Sequence, residues 1–292
     1  MNRLRRFSAV FLVVLLAFTA GRFSPTLRRP PLVLGQDAAV TGVTAEQVAV
    51  SYNPDLGGFI DVAPRGDFST LFTLYPGGLV RPQAYEWLGR ALAPYGVRTL
   101  IPVFPLDLAV TAPDRAEGLL GLAAGHPVVI GGHSLGGSMA ARFALRHSEA
   151  LRGLVLMGAY SAEGDDLSGL ALETLVLAAE HDGLATLEEI TAGMTRLPDG
   201  AALSVIPGAV HSFFGRYGPQ RGDGLPTVTR AEAERQIVEE LSAFFEGRAT
   251  SKPTLSPVLL ALGTRYDGTA TGSCISRRRS SSRPVPRSAT SP

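Results

Sequence analysis

The chain of 292 residues is 45% hydrophobic, enough to bury one full core as a single domain of about 200 to 250 residues. A net charge of +1, with no basic stripe interleaved with aromatics, gives no case for a nucleic-acid partner. The single cysteine, Cys274, excludes an internal disulfide framework and a cysteine-rich zinc site.

Arg3, Arg5 and Arg6 precede an apolar run from Phe7 to Ala20, the arrangement of a segment that takes the chain out of the cytosol. A run of about 14 apolar residues is short for a spanning helix, which needs about 20. Residues 1–24 therefore read as a signal peptide or, since no clean small-x-small site follows, as an uncleaved N-terminal membrane anchor. Either way the expected location is extracytoplasmic, secreted or membrane-attached. A Pro/Arg linker is expected over 25–42, a folded domain over 43–247, and a disordered Ser/Arg/Pro-rich tail over 248–292.

Within the domain, Val48–Tyr52 and Gly58–Val62 read as a hairpin pair around an Asn-Pro-Asp-Leu-Gly turn. Strands and helices then alternate. Leu71–Tyr75 is a strand, Arg81–Pro94 a helix, Val97–Ile101 a strand, Pro113–Ala124 a helix and Pro127–Ile130 a strand. Strands at Gly153–Met157, Glu173–Ala179 and Ala202–Ile206 follow, with helices at Thr186–Leu197 and Arg230–Phe245. This pattern predicts an α/β fold with a mostly parallel central sheet and helices on both faces. Ligands of such sheets sit at the carboxyl ends of the strands.

The run Gly131-Gly132-His133-Ser134-Leu135-Gly136-Gly137 lies between a strand and a helix of small and apolar residues. Gly132 to Gly136 fits the G-x-S-x-G nucleophile elbow, which exposes a serine hydroxyl above the sheet. The Leu135 N–H, at the helix N-terminus, is the first candidate donor to an oxyanion. The second is expected from the loop after the first parallel strand, Tyr75-Pro76-Gly77-Gly78-Leu79, where Gly78 is assigned with an ambiguity of one residue.

Strand direction sorts the five histidines. His126 and His147 fall on the opposite edge of the sheet, and alternation turns His133 away from Ser134. His181 is adjacent to Asp182, and neighbours in a turn seldom serve each other as acid and base. His211, after the last strand, is the candidate general base. Asp182, after the preceding strand, is the candidate acid that would orient it, with Asp165 and Asp166 in reserve. The order Ser134, Asp182, His211 is that of the hydrolase fold.

These residues resemble the α/β-hydrolase superfamily. Leu74-Tyr75-Pro76-Gly77-Gly78-Leu79-Val80 with Ala84-Tyr85, Pro105 to Val110, the elbow, and His211 to Gly224 are similar to its bacterial fold-5 family, over about residues 43–247. The resemblance implies an α/β-hydrolase fold and a Ser-Asp-His hydrolase, often with an N-terminal anchor. Pro76 stands where many hydrolases have histidine, and Gly208-Ala209-Val210-His211 replaces the family's Gly-Gly-Asn-His.

The expected chemistry is acyl transfer to water on an ester-like, small-molecule substrate, with no cofactor, no metal and a monomeric chain. Only 15 residues separate Met157 from Glu173, so the lid is minimal and the site open, with Phe213, Phe214 and Tyr217 expected on its rim. An acyltransferase on the same residues and a non-catalytic binding module are the alternatives.

Overall fold

The computed structural model describes residues 10–19, 29–33, 42–43 and 46–248. All belong to the first of two units into which contacts divide the chain, Met1–Thr254. The expected tail beyond Arg248, and residues 1–9 and 20–24 of the N-terminal segment, lie outside the described residues. Residues 10–19 are helical, with Val10, Phe11 and Phe18 exposed; no described helix is long and apolar enough to cross a membrane.

Eight strands form one sheet: β1 Val48–Asn53, β2 Phe59–Pro64, β3 Thr70–Tyr75, β4 Val97–Pro102, β5 Val128–His133, β6 Gly153–Met157, β7 Glu173–Ala179 and β8 Ala202–Ile206. Their order is β1-β2-β4-β3-β5-β6-β7-β8. β1 to β2 and β2 to β4 pair antiparallel, and every other pairing is parallel. The mostly parallel α/β sheet expected from the strand and helix alternation is therefore present, in agreement with the fold that the resemblance implies.

Alternation along each strand divides the core in two. Phe72, Leu74, Val155, Leu175 and Leu177 face one side, against Trp87 and Leu88 of α1 (Glu86–Leu92) and Ile237, Leu241 and Phe245 of α4 (Arg230–Phe245). Leu71, Tyr75, Leu154, Leu156 and Val176 face the other, against Met139, Ala140 and Phe143 of α2 (Leu135–His147) and Ile190 of α3 (Leu187–Gly193). Burial on both faces is why these strands read as continuous apolar runs. Thr186 and Glu189 form a capping box at the start of α3, and Thr229 caps α4, satisfying N–H groups that the first turn leaves unpaired.

The helix expected over Pro113–Ala124 is a 3₁₀ helix, Arg115–Ala123. Gly118 and Gly121 weaken the α alternative by about 1 kcal/mol each. The Tyr75 hydroxyl, at the end of β3, holds the entry instead: it donates to the Pro113 carbonyl at 2.8 Å and accepts from the Ala116 N–H at 2.9 Å.

Candidate active site

β5 ends at His133 and α2 begins at Leu135, so Ser134 alone makes the turn. Its φ of 54° and ψ of −127° are rare for a residue with a side chain and cost about 1–3 kcal/mol, held by the packing around it. A Cβ on Gly132 would lie 2.5 Å from the carbonyl of Gly136, and one on Gly136 would lie 2.3 Å from the Pro76 oxygen. Only glycine admits the close approach of strand, helix and β3 loop on which the turn depends. Ser134 stays partly exposed while its neighbours His133 and Gly132 are buried.

His211 follows β8 and Asp182 follows β7, and their side chains meet: His211 Nδ1 lies 2.7 Å from Asp182 Oδ2, with both side chains at most 1% exposed. Asp182 Oδ1 accepts the Leu184 N–H at 2.8 Å and the Ala185 N–H at 2.7 Å, which fixes the carboxylate independently of the ring. An ionised carboxylate at Nδ1 puts the ring proton there and leaves Nε2 as the basic nitrogen. His211 Nε2 is buried and has no hydrogen-bond partner among the described residues. The reserve carboxylates are engaged elsewhere. Asp165 is bound by Arg142 at 2.9 Å, and exposed Asp166 accepts from Ser168 N–H, a bond that holds its carboxyl below the usual range.

The β3 loop resolves which amide is free. Gly77 N–H donates to the Tyr85 hydroxyl at 2.9 Å, Leu79 N–H to the Asp107 carbonyl at 2.8 Å and Val80 N–H to the Gly77 carbonyl at 3.1 Å. Gly78 N–H alone among these has no acceptor within the described residues. Gly78 sits beside the start of α2, where an added Cβ would come within 3.1 Å of Leu135 Cδ2. Gly78, Leu79, Ser134 and Leu135 are the partly exposed residues of an otherwise buried surround, so the structure brings these two backbone segments to one opening.

The segment after His211 corrects one expectation. Phe214 and Tyr217 are fully buried and do not stand on a rim; their rings lie 5.5 and 6.0 Å from that of His133. They fill the sheet-helix layer because rings this large gain about 1.5–3 kcal/mol by leaving water. Phe213 is half-buried beneath the Arg230 guanidinium, 4.5 Å from the ring centre.

Four charged residues whose roles the sequence did not reveal hold this segment. Asp223 accepts the N–H groups of His211, Ser212 and Gly224, each at 2.9 Å. Arg230 donates to the carbonyls of Ser212, Gly215 and Tyr217. Arg216 forms a bidentate pair with Glu234, two contacts of 2.9 Å with both side chains at most 3% exposed, and lies over the Trp87 ring. The signal that could have found Asp223 was the Tyr-Gly-Pro-Gln-x-Gly-Asp-Gly run, whose carboxylate caps the backbone of the histidine.

His133 is the other residue placed without a role. Its ring is fully buried 4.4 Å from that of His211, and Nδ1 lies 2.8 Å from the Tyr85 hydroxyl. Burial first, and then the neighbouring His211, hold its pKa well below the ordinary histidine value; the nearby His211 carbonyl opposes this without closing a hydrogen bond to Nε2. The unfolded chain takes up a proton at His133 near pH 6.5 and the folded chain does not. Stability from this residue is thus complete above pH 6.5 and is lost as pH falls below it, by at most about 1.4 kcal/mol per unit. Urea unfolding between pH 7 and 5 should show that slope, and His133→Asn should flatten it.

Among the described residues no group of three His, Cys, Asp or Glu side chains is placed to hold a metal ion. A cavity of about 530 Å³ between α1 and α4 is lined by Trp87 and Glu234 but by none of Gly78, Ser134, Leu135, Asp182 and His211.

A family model described as the alpha/beta hydrolase family matches residues 71–235, from β3 into α4. The chain belongs to that family. The fold is similar to that of a predicted CIB-like hydrolase from Thermoplasma acidophilum, with a TM-score of 0.55 and 15% identity, over 68% of this chain and 99% of that one. No curated protein matches the sequence.

Proposed function

We propose that this hydrolase-family chain is a serine hydrolase of ester-like acyl bonds. The observation that carries the reading is the His211–Asp182 contact at 2.7 Å, which leaves a buried, unpartnered Nε2 on the edge of the sheet where Ser134 makes its strained turn. Ser134 Oγ attacks the carbonyl carbon as His211 Nε2 takes its proton. The tetrahedral oxyanion is held by the N–H groups of Leu135 and Gly78, at about 3 kcal/mol per donor. The intermediate collapses as the C–O bond to the leaving alcohol breaks and His211 returns the proton to that oxygen. Water, deprotonated by the same nitrogen, then cleaves the acyl-enzyme and restores the serine.

Asp182 keeps the imidazole in its tautomer and balances the imidazolium without taking a proton. The 15 residues between β6 and β7 leave no room for a large helical lid, which supports small or exposed acyl substrates. Attachment to a membrane, or export, through the N-terminal segment belongs to the same reading.

A fluorophosphonate probe tests it on the full chain. Wild type should label and Ser134→Ala should not. An unlabelled wild type, or labelling that survives the substitution, overturns the reading. A panel of p-nitrophenyl esters of graded chain length then defines the acyl group.

A further inference from the structure

Beside the proposed nucleophile and base lies a buried polar chain that neither step uses: Gly77 N–H, the Tyr85 hydroxyl and His133 Nδ1, at 2.9 and 2.8 Å. Both side chains are fully buried, so the Tyr85 hydroxyl and His133 Nδ1 find their partners within the protein, in each other and in Gly77. The Tyr85 oxygen already accepts from Gly77, and burial pushes the phenol pKa well up, so the hydroxyl keeps its proton. Its one hydrogen is directed to the other neighbour, His133 Nδ1. A neutral His133 can accept there, and its own proton then sits on Nε2. The chain therefore runs one way, from the loop amide through the phenol to the imidazole.

The two ends of this chain belong to the two halves of the proposed oxyanion site. Gly77 precedes Gly78, whose amide is free, and His133 precedes Ser134. Gly77 lies close against both, since an added Cβ would come within 3.0 Å of His133 Nδ1 and of the Tyr85 oxygen and would press on their contact. The Gly77 amide is turned inward to the phenol, so the next peptide is free to present its N–H at the opening beside Leu135. Tyr85 lies at the end of the 3₁₀ turn Pro82–Tyr85, and residues 84–85 are pinned in turn by Arg216 N–H on the Ala84 carbonyl at 2.7 Å.

We infer that Tyr85, acting through His133, is a positioning residue that holds the Gly77–Gly78 peptide in register with the nucleophile elbow, so that the Gly78 N–H meets the developing oxyanion. This rests on the acyl-transfer reading of Ser134. Tyr85 touches neither substrate nor reacting atoms; its effect reaches the reaction through the direction of one amide. Pro76, where many hydrolases carry histidine, brings no polar side chain to the task, and Tyr85 supplies one from the next turn.

The test uses the full chain and a p-nitrophenyl ester. Tyr85→Phe removes the hydroxyl and keeps the ring. It should lower kcat about 100-fold, the order seen when an oxyanion donor is lost. KM should change less than about 2-fold, since the amide acts mainly in the transition state. Affinity for a trifluoromethyl ketone, which forms a tetrahedral oxyanion on the serine, should fall in parallel with kcat. His133→Leu should match Tyr85→Phe, whereas His133→Asn, whose amide oxygen replaces Nδ1 as acceptor, should retain most of kcat. The double variant Tyr85→Phe/His133→Leu should lose no more than either single one, because one chain is cut in both.

Unchanged kcat in Tyr85→Phe, a loss confined to KM, or losses that multiply in the double variant would each overturn the inference. Should Tyr85→Phe not fold, the contrast between His133→Asn and His133→Leu decides, and equal losses in those two refute it. A wild type that the fluorophosphonate does not label removes the Ser134 reading and this inference with it. A labelled wild type with an indifferent Tyr85 removes the inference alone.

Discussion

Asp182→Asn should lower kcat by about 10⁴-fold while the melting temperature stays near that of wild type. The Leu184 and Ala185 amides that bind Oδ1 would still find an oxygen there, so the loop after β7 keeps its shape. At Oδ2 an amide nitrogen would replace the carboxylate and donate to Nδ1. That moves the imidazole proton to Nε2, the atom that has to accept from Ser134. A new imidazolium would also stand without a counter-charge in a site where both side chains are at most 1% exposed. Hydrolysis of a p-nitrophenyl ester, followed beside a thermal melt, measures both quantities. Asp165→Asn and Asp166→Asn should change kcat little, since one is bound to Arg142 and the other faces solvent. A severe Asp166→Asn with a mild Asp182→Asn would move the acid to the loop after β6.

Glu234→Ala should destabilise the domain by about 3–5 kcal/mol, as much as truncating a large core side chain. The Arg216 guanidinium is 3% exposed, and this variant removes the carboxylate that holds it through two contacts of 2.9 Å. The size of the effect reflects the cost of keeping a desolvated cation whose bidentate carboxylate is gone, more than the strength of the pair. Replacing both members by apolar residues, Arg216→Met with Glu234→Leu, should therefore recover most of the loss. Urea denaturation of the two variants beside wild type gives the comparison directly. Because Arg216 also anchors the segment after His211 to the Ala84 carbonyl, Glu234→Ala should lower activity at temperatures well below its own midpoint.

Which parts of this fold can be read from sequence follows from the range of the forces involved. The strands announce themselves because both faces are buried, so Leu175 to Ala179 is apolar without a break and Leu71 to Tyr75 is interrupted only by Thr73. Their C-terminal ends then place Ser134, Asp182 and His211 on one edge by direction alone. The exchange of β3 and β4 in the sheet order carries no local signal, since it depends on which strand each crossover reaches. The roles of Tyr85 and His133 carry no local signal for a related reason, since their bonds span 8 and 48 residues, whereas the run from His211 to Gly224 marks the position of Asp223 without showing which N–H groups it caps. The misplaced aromatics show the opposite error. Phe214 and Tyr217 follow a loop histidine and look like loop residues, yet the chain turns back under the sheet edge and buries them. The helix expected after Pro113 became 3₁₀ because a tyrosine from the sheet took over its first hydrogen bonds.

One short piece of chain ahead of β1 bears on how this protein can be trimmed or matured. Leu32 bridges to Tyr217, Val33 N–H donates to the Arg216 carbonyl at 2.9 Å, and Gly218 N–H donates to the Pro31 carbonyl at 3.0 Å. Arg29 pairs with Asp107, whose carbonyl holds Leu79. Residues 29–33 thus act as a clasp between the segment after His211, the proposed base, and the loop that carries Gly78, the proposed oxyanion donor. A peptidase that released the domain from its first residues would have to cut upstream of Arg29 to leave the clasp in place. A recombinant domain started at Val43, just ahead of the first strand, would surrender the Leu32–Tyr217 bridge and the hydrogen bonds beside it.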